Sequence, residues 1–332
     1  MSVVSASEAG GAAIRVEGLV KRYGRQVAVD RLTLTVPNGA VFGLLGENGA
    51  GKTTTIRILL GLTKPDAGRV EVQGLDPARE GLRVRRSVGY VPEVPTLYDW
   101  MTVREIGWFA AGFHPDAQGG TAAFVARYDE LTRGFNLPDR KRMKELSKGM
   151  RAKVSLAIAL AGDPGLLILD EPTSGLDLMV RHEFLESMVD RAGAGRTVLL
   201  SSHQISEVER VASHVALLHG GRLILAEPLD ELKARTFALS LVFASRDHPT
   251  GPPENLPVDL IDATDAARQA RWLVRANDRA AVEAIRLLPG VDGLDIEAPD
   301  LESIYIGYMR GRRPAGSTTG SGGPPSLSVH VA

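Results

Sequence analysis

Two short stretches carry side chains whose types and spacing could do chemistry. The first is Gly46-Glu47-Asn48-Gly49-Ala50-Gly51-Lys52-Thr53, continuing into Thr54. It fits the pattern GxxxxGK[ST], in which glycines let backbone N–H groups turn inward around an anion. A helix starting at that point adds partial positive charge. Lys52 would reach the β- and γ-phosphates of a nucleotide, and the Thr53 hydroxyl could ligate Mg²⁺. The second stretch is Leu166-Leu167-Ile168-Leu169-Asp170-Glu171-Pro172, an apolar run ending in two carboxylates. Asp170 is placed to hold Mg²⁺, and Glu171 to accept a proton from an attacking water. Each stretch has a plainer reading, an accidental glycine-rich turn or a solvated acidic pair. Their occurrence together favours the chemical one.

The elements that must position these residues are also readable. Ala40 to Leu45 is a continuous apolar run and predicts a buried strand before the glycine loop; Thr53 to Leu60 predicts a helix that Gly61 stops. Ile14 to Val20 and Leu32 to Val36 alternate like exposed-edge strands, and Val70 to Gln73 and Val88 to Val91 predict two more strands. Residues 97–162 read as a helical insertion, ending in a helix from Ser147 to Ala161. Then come a strand at Leu166–Leu169, a helix at Val180–Arg191, a strand at Thr197–Ser201 and a helix at Ser206–Ala212. Strands alternating with helices predict an α/β fold built on a mainly parallel sheet. From about residue 236 the pattern restarts as a small α+β domain to residue 310, with strands at Phe237–Phe243, Trp272–Arg275 and Leu294–Glu297 and helices at Ala280–Leu288 and Leu301–Met309. Residues 1–12 read as a loose leader and 311–332 as a disordered tail, too poor in apolar residues to order themselves.

Composition narrows the function classes. The 332 residues are 44% hydrophobic and 24% charged, with 39 basic against 40 acidic side chains, so the overall charge does not suggest a nucleic-acid binder. There is no cysteine, which excludes disulfides, thiol catalysis and Cys-ligated metals. No apolar run approaches the roughly 20 residues of a membrane helix. The basic stretch Arg140-Lys141-Arg142-Met143-Lys144 reads best as a solvated face, since aromatics are only 5% and do not interleave with it.

Together with Leu146-Ser147-Lys148-Gly149-Met150, the run Leu167–Asp177 (LILDEPTSGLD) and His203 after Leu199-Leu200-Ser201-Ser202, these stretches resemble the nucleotide-binding subunit of an ATP-binding-cassette (ABC) transporter. The resemblance covers about residues 14–235, with the cassette assigned to 13–235. It implies a P-loop NTPase cassette that binds ATP and Mg²⁺ and hydrolyses ATP. Tyr23 then matches the aromatic that stacks on adenine. Glu93 occupies the Q-loop position, which senses Mg²⁺ and faces the membrane partner. Ser147 and Gly149 match the signature motif, and Asp177 the D-loop, both acting across a dimer. His203 matches the switch histidine that contacts the γ-phosphate. Two positions depart from the common pattern: Glu93 stands for Gln, and the signature reads Leu-Ser-Lys-Gly-Met. Both variants resemble a subgroup of exporter ATPases with separate membrane subunits, as does the tail Asp300-Leu301-Glu302-Ser303-Ile304-Tyr305.

The resemblance implies partners: an integral membrane permease, a second nucleotide-binding subunit, no nucleic acid, and a location on the cytoplasmic face of the membrane. The alternative is a soluble ABC ATPase acting on ribosomes or nucleic acid. A single set of motifs counts against the two-cassette ribosome type. The short interval from Lys52 to Asp170 leaves no room for the coiled coil of the DNA-repair type.

Overall fold

A computed structural model describes residues 11–115, 119–174, 176 and 178–311. The expected tail beyond Gly311 and nearly all of the expected leader lie outside them, as does Asp177. The chain divides into two compact units between Ala226 and Glu227, whereas the sequence pattern changes nearer residue 236.

The first unit contains β1 (Ala12–Tyr23), β2 (Gln26–Pro37), β3 (Val41–Leu45), α1 (Lys52–Leu59), β4 (Ala67–Val72), α2 (Pro77–Ser87) and β5 (Val88–Val91). It continues through α3 (Val103–Ala111), α4 (Gly120–Gly134), α5 (Lys148–Ala161), β6 (Leu166–Asp170), α6 (Leu178–Gly193), β7 (Thr197–Ser202), α7 (Ile205–Val211), β8 (His214–His219) and the start of β9 (Arg222–Pro228). A six-stranded sheet of order β5-β6-β7-β3-β8-β9 forms its centre. From β5 through β8 its neighbours run parallel. Every residue of β3, β6 and β7 is buried, which is why their centres read as apolar runs, with polar residues only at the ends of β6 and β7.

A second sheet, β2-β1-β4, is antiparallel. The edge-like reading of Ile14–Val20 is corrected here. β1 is the middle strand, and Ile14, Val16 and Leu19 are buried in the main core. The alternation was real, but it marked one face packed on the core and not an exposed edge.

The insertion has its own core. Phe124, Tyr128, Met143, Val154, Ala157 and Ala161 pack together between α3, α4 and α5. Tyr128 packs against α3, where a Cβ on Gly107 would come within 2.2 Å of its ring, and its hydroxyl donates to the Val103 carbonyl at 2.7 Å. α3 starts at a reciprocal cap between Thr102 and Glu105. α5 starts at Ser147, whose hydroxyl accepts from the Met150 amide at 3.2 Å.

The second unit comprises α8 (Leu229–Ala234), β10 (Thr236–Phe243), β11 (Val258–Ala266), β12 (Gln269–Ala276), α9 (Arg279–Glu283), β13 (Val291–Glu297) and α10 (Leu301–Arg310). Its four-stranded antiparallel sheet has the order β11-β12-β10-β13. Trp272, Phe243, Leu241, Val274, Val282 and Ile285 form its core. The helix expected over Ala280–Leu288 is shorter. α9 ends at Glu283 and a 3₁₀ turn carries Ala284–Leu287, leaving Leu287 85% exposed.

Candidate active site

Sheet order decides which loops meet. β6, β7 and β3 are consecutive and parallel, with Leu45 in register with Ser202 and Asp170 with Ser201. The glycine loop after β3, the carboxylates ending β6 and the turn after β7 therefore emerge together. Ligand sites of parallel α/β sheets lie at this carboxyl edge.

The loop demands glycine at two points. Gly51 has φ +103°, and a Cβ there would sit 2.6 Å from the Ala28 carbonyl oxygen. A Cβ on Gly46 would sit 2.7 Å from the Leu218 carbonyl. Lys52 opens α1 and curls back under the loop, its ammonium donating to the Gly46 carbonyl at 2.6 Å. The hydroxyl of Thr55 donates to the Gly51 carbonyl at 2.9 Å and anchors the first turn.

The carboxylates are held differently from each other. Asp170 accepts from the Ser201 hydroxyl at 2.7 Å and lies 3.4 Å from the Thr53 hydroxyl. Glu171 follows in a left-handed conformation, φ +48°, which an ordinary residue adopts at a cost of about 1–2 kcal/mol. Its amide donates to both the carbonyl and the hydroxyl of Ser201, each at 3.1 Å, which fixes that turn. The side chain then sits between two nitrogen-bearing groups. One oxygen is 3.0 Å from the Lys52 ammonium; the other is 2.7 Å from His203 Nδ1 and accepts from the His203 amide at 3.2 Å. Lys52 and Glu171 are both buried. Burial, reinforced by the Asp170 carboxylate, pushes the Tyr90 phenol up to about 12, so it stays protonated beside this site.

A cavity of about 220 Å³ opens over the loop. Its walls include Tyr23, Glu47, Asn48, Gly49, Ala50, Gly51, Lys52, Thr53, Thr54, Glu93 and Glu171. Tyr23 is half-exposed, with the Lys21 ammonium 5.5 Å over its ring. Gly46, Asp170 and His203 stand behind this wall through the contacts just given. Ser147 and Gly149 do not line it; they sit at the start of α5, Ser147 exposed and Gly149 buried. Sequence reasoning missed Gln26 and Ala28, which complete the wall, and Ser201, which holds the Asp170 carboxylate and the Glu171 backbone amide. A small hydroxyl at the end of an otherwise apolar strand was the available signal for Ser201.

Thr53 and Asp170 offer oxygen donors alone, the set that suits Mg²⁺, and Glu93 adds a carboxylate to the cavity wall. Among the described residues there is no cluster of three or more His, Cys, Asp or Glu that could hold a metal by itself. A partial oxygen set is what an ion shared with phosphates and water requires.

A glycine loop on a strand–helix junction, with carboxylates and a histidine on the adjacent strand ends, defines a P-loop nucleotide hydrolase. The family model described as ABC transporter matches residues 29–174. The daunorubicin resistance ATP-binding protein DrrA3 of Streptomyces coeruleorubidus is 41% identical over 310 residues, spanning 89% of this chain and 95% of the relative. The bacitracin transport ATP-binding protein BcrA of Bacillus licheniformis is 37% identical over 230 residues, 67% of this chain and 72% of the relative. A solved ATP-binding subunit of an ABC transporter superposes with a TM-score of 0.62 at 33% identity, covering 67% of this chain and 92% of its own. A dimeric ATP-binding cassette bound to ADP and phosphate shares the fold, with a TM-score of 0.60 at 22% identity, covering 65% of this chain and 98% of its own. The chain belongs to the ABC transporter family, as an ATP-binding subunit with ATPase activity.

Proposed function

We propose that this chain is the motor subunit of an exporter, hydrolysing ATP to drive a separate transmembrane permease from the cytoplasmic face of the membrane. The relatives named for drug resistance and antibiotic transport support the direction of transport. No helix among the described residues is long and apolar enough to cross a membrane, and in this reading the permease supplies the span. The exposed aromatics after the Q-loop support such docking: Tyr98, Trp100 (64% exposed), Phe109 and Phe113 (61% exposed) form a chain of ring contacts on the insertion.

The observation that carries the mechanism is Glu171 held between Lys52 and His203. A triphosphate entering the loop competes for the Lys52 ammonium and draws it away from Glu171. That carboxylate is then free to accept a proton from water. His203, held through Nδ1 by the same carboxylate, leaves Nε2 to face the γ-phosphate, where it donates only as the imidazolium. Tyr23 stacks on adenine, and the amides of Glu47 to Thr54 cradle the phosphates. Thr53, Asp170 and Glu93 would hold Mg²⁺, which supplies charge neutralisation at the phosphates when bound. Ser147 and Gly149, absent from the cavity wall, act on the nucleotide of a second subunit, and Asp177 lies across the same dimer. Two ATP molecules are then shared between paired subunits, whose closure and opening move the permease.

The test is Glu171→Gln. It should bind ATP, hydrolyse it far more slowly and accumulate as a closed dimer on size-exclusion chromatography. Hydrolysis at the wild-type rate would remove Glu171 from the role of base. Affinity purification from membranes should recover an integral membrane protein. Recovery with ribosomes or DNA instead would overturn the transport reading.

A further inference from the structure

Behind the cavity lies a polar circuit that takes no part in its wall. Arg181, in the first turn of α6, projects its guanidinium between two loops. One nitrogen donates to the Gln204 side-chain oxygen at 2.7 Å, and the other terminal nitrogen donates to the Leu176 carbonyl at 3.3 Å. Its Nε lies 3.0 Å from Glu207 Oε1 on α7, an ion pair whose geometry is not that of an aligned hydrogen bond. The other oxygen of Glu207 accepts from the Thr173 hydroxyl at 2.6 Å. Thr173 and Glu207 are buried.

The positions of these partners matter more than their number. Gln204 directly follows His203. Leu176 directly precedes position 177. Thr173 is two residues after Glu171, within a turn closed by Ser174 N to Glu171 O at 3.1 Å and Leu176 N to Thr173 O at 3.1 Å. Only a planar fork with several donors in one plane reaches all three acceptors at once; a lysine places one ammonium at one of them.

The geometry points to Arg181, steadied by Glu207, as a positioning residue that ties the turn leading to Asp177 to the turn bearing His203. The pair thereby sets the approach of His203 to Glu171 and couples the turn at Thr173 to the histidine. This inference rests on the roles given above to Glu171, His203 and Asp177, and it adds residues that touch neither nucleotide nor reacting atoms. Thr173 makes the circuit reach the base as well as the histidine, because its anchor on Glu207 fixes the turn that follows Glu171.

The test is steady-state ATPase kinetics of the full chain with Arg181→Lys, Gln204→Leu and the double variant. A misplacement of about 1 Å at a catalytic group can cost ~100-fold, so a loosened one should cost on the order of 10-fold in kcat. We expect Arg181→Lys to lower kcat by about that factor with the KM for ATP changed less than ~3-fold, since the cradle is untouched. Gln204→Leu should act in the same direction, and the double variant should be little worse than the more damaging single one, as groups in one circuit are not additive. Independent multiplication of the two effects, a rise in KM alone, or unchanged kinetics would overturn the inference. Should Arg181→Lys fold poorly, Glu207→Gln paired with Gln204→Leu reads the same coupling. The Glu171→Gln measurement stands apart: wild-type hydrolysis there would remove the underlying reading, whatever the cycle shows.

Discussion

The carboxyl edge of the parallel sheet and the antiparallel sheet of the second unit use the same kinds of residue to opposite ends. At the parallel edge, β3, β6 and β7 are buried end to end, and their polar residues are pushed to where the strands stop. Charge gathers there with defined partners: Lys52 on Glu171, Ser201 on Asp170, His203 on Glu171. In the second unit, acidic and basic residues are spread along strands with an outer face, as at Asp259, Asp262 and Asp265 on β11 and Arg271 and Arg275 on β12. Its best-fixed pair, Arg275 with Glu227, is joined by Tyr308. Burial on both faces concentrates chemistry at strand ends, while burial on one face disperses it.

That contrast can be broken most severely at the base. Glu171→Gln should lower the hydrolysis rate by ~100- to 10,000-fold, the usual contribution of a positioned base. Single-turnover hydrolysis of radiolabelled ATP measures it, and a loss below ~3-fold would leave the strand-end carboxylate without its role. Next comes Gly51→Val, which adds a side chain beside the Ala28 carbonyl at a left-handed position. Nucleotide affinity should drop by more than about 10-fold, since the loop amides must swing out of the cradle. A fluorescent nucleotide titration at constant salt reads this directly.

In the second unit the large effect should fall on stability instead. Trp272 is buried at 1% exposure, and Trp272→Ala should cost about 3–5 kcal/mol in the unfolding of that unit. Calorimetry would show a separate transition moving down, with ATP hydrolysis below it kept within ~2-fold of the parent if the two regions are as independent as their chemistry. A parallel loss of activity would instead reveal coupling between them.

The smallest effect concerns Asp300, which caps α10 by accepting from the Ser303 amide at 2.7 Å. Hydrogen bonds from Ser303 hold its carboxyl below the usual range. A depressed carboxylate adds stability above its unfolded pKa, near 3.8, and loses it as pH falls through the lower folded value. Asp300→Ala should therefore cost about 1 kcal/mol at neutral pH and less below pH ~3. Urea titrations at both pH values separate the two cases.

The same contrast explains what the amino-acid sequence reveals of this molecule. The loop from Gly46 to Thr53 and the run ending at Asp170 are legible because steric demand and burial leave few residue types that fit. Ser201 is less so, because a lone hydroxyl at a strand end looks like any other until its two carboxylate neighbours are in place. The strand β11 shows no apolar alternation, since only Val258 is fully buried along it. α2 was missed for a similar reason: it buries only Pro77 and Val84, although Asp76 caps its first turn. Neither the register of β6 on β7 nor the reach of Arg181 across two loops is encoded in any local pattern. Both follow from sheet order.

The contact between Lys52 and Glu171 gives nucleotide entry the character of an ion exchange. An arriving triphosphate meets no bare cation in the cradle; it displaces an internal carboxylate that already neutralises the lysine. A small singly charged anion gains little by such a trade, because it must leave a buried carboxylate without its partner. A triphosphate brings enough charge and enough amide contacts to offset that cost. On the proposed reading of Glu171 as the base, the carboxylate released in this exchange is the one that accepts the proton from water.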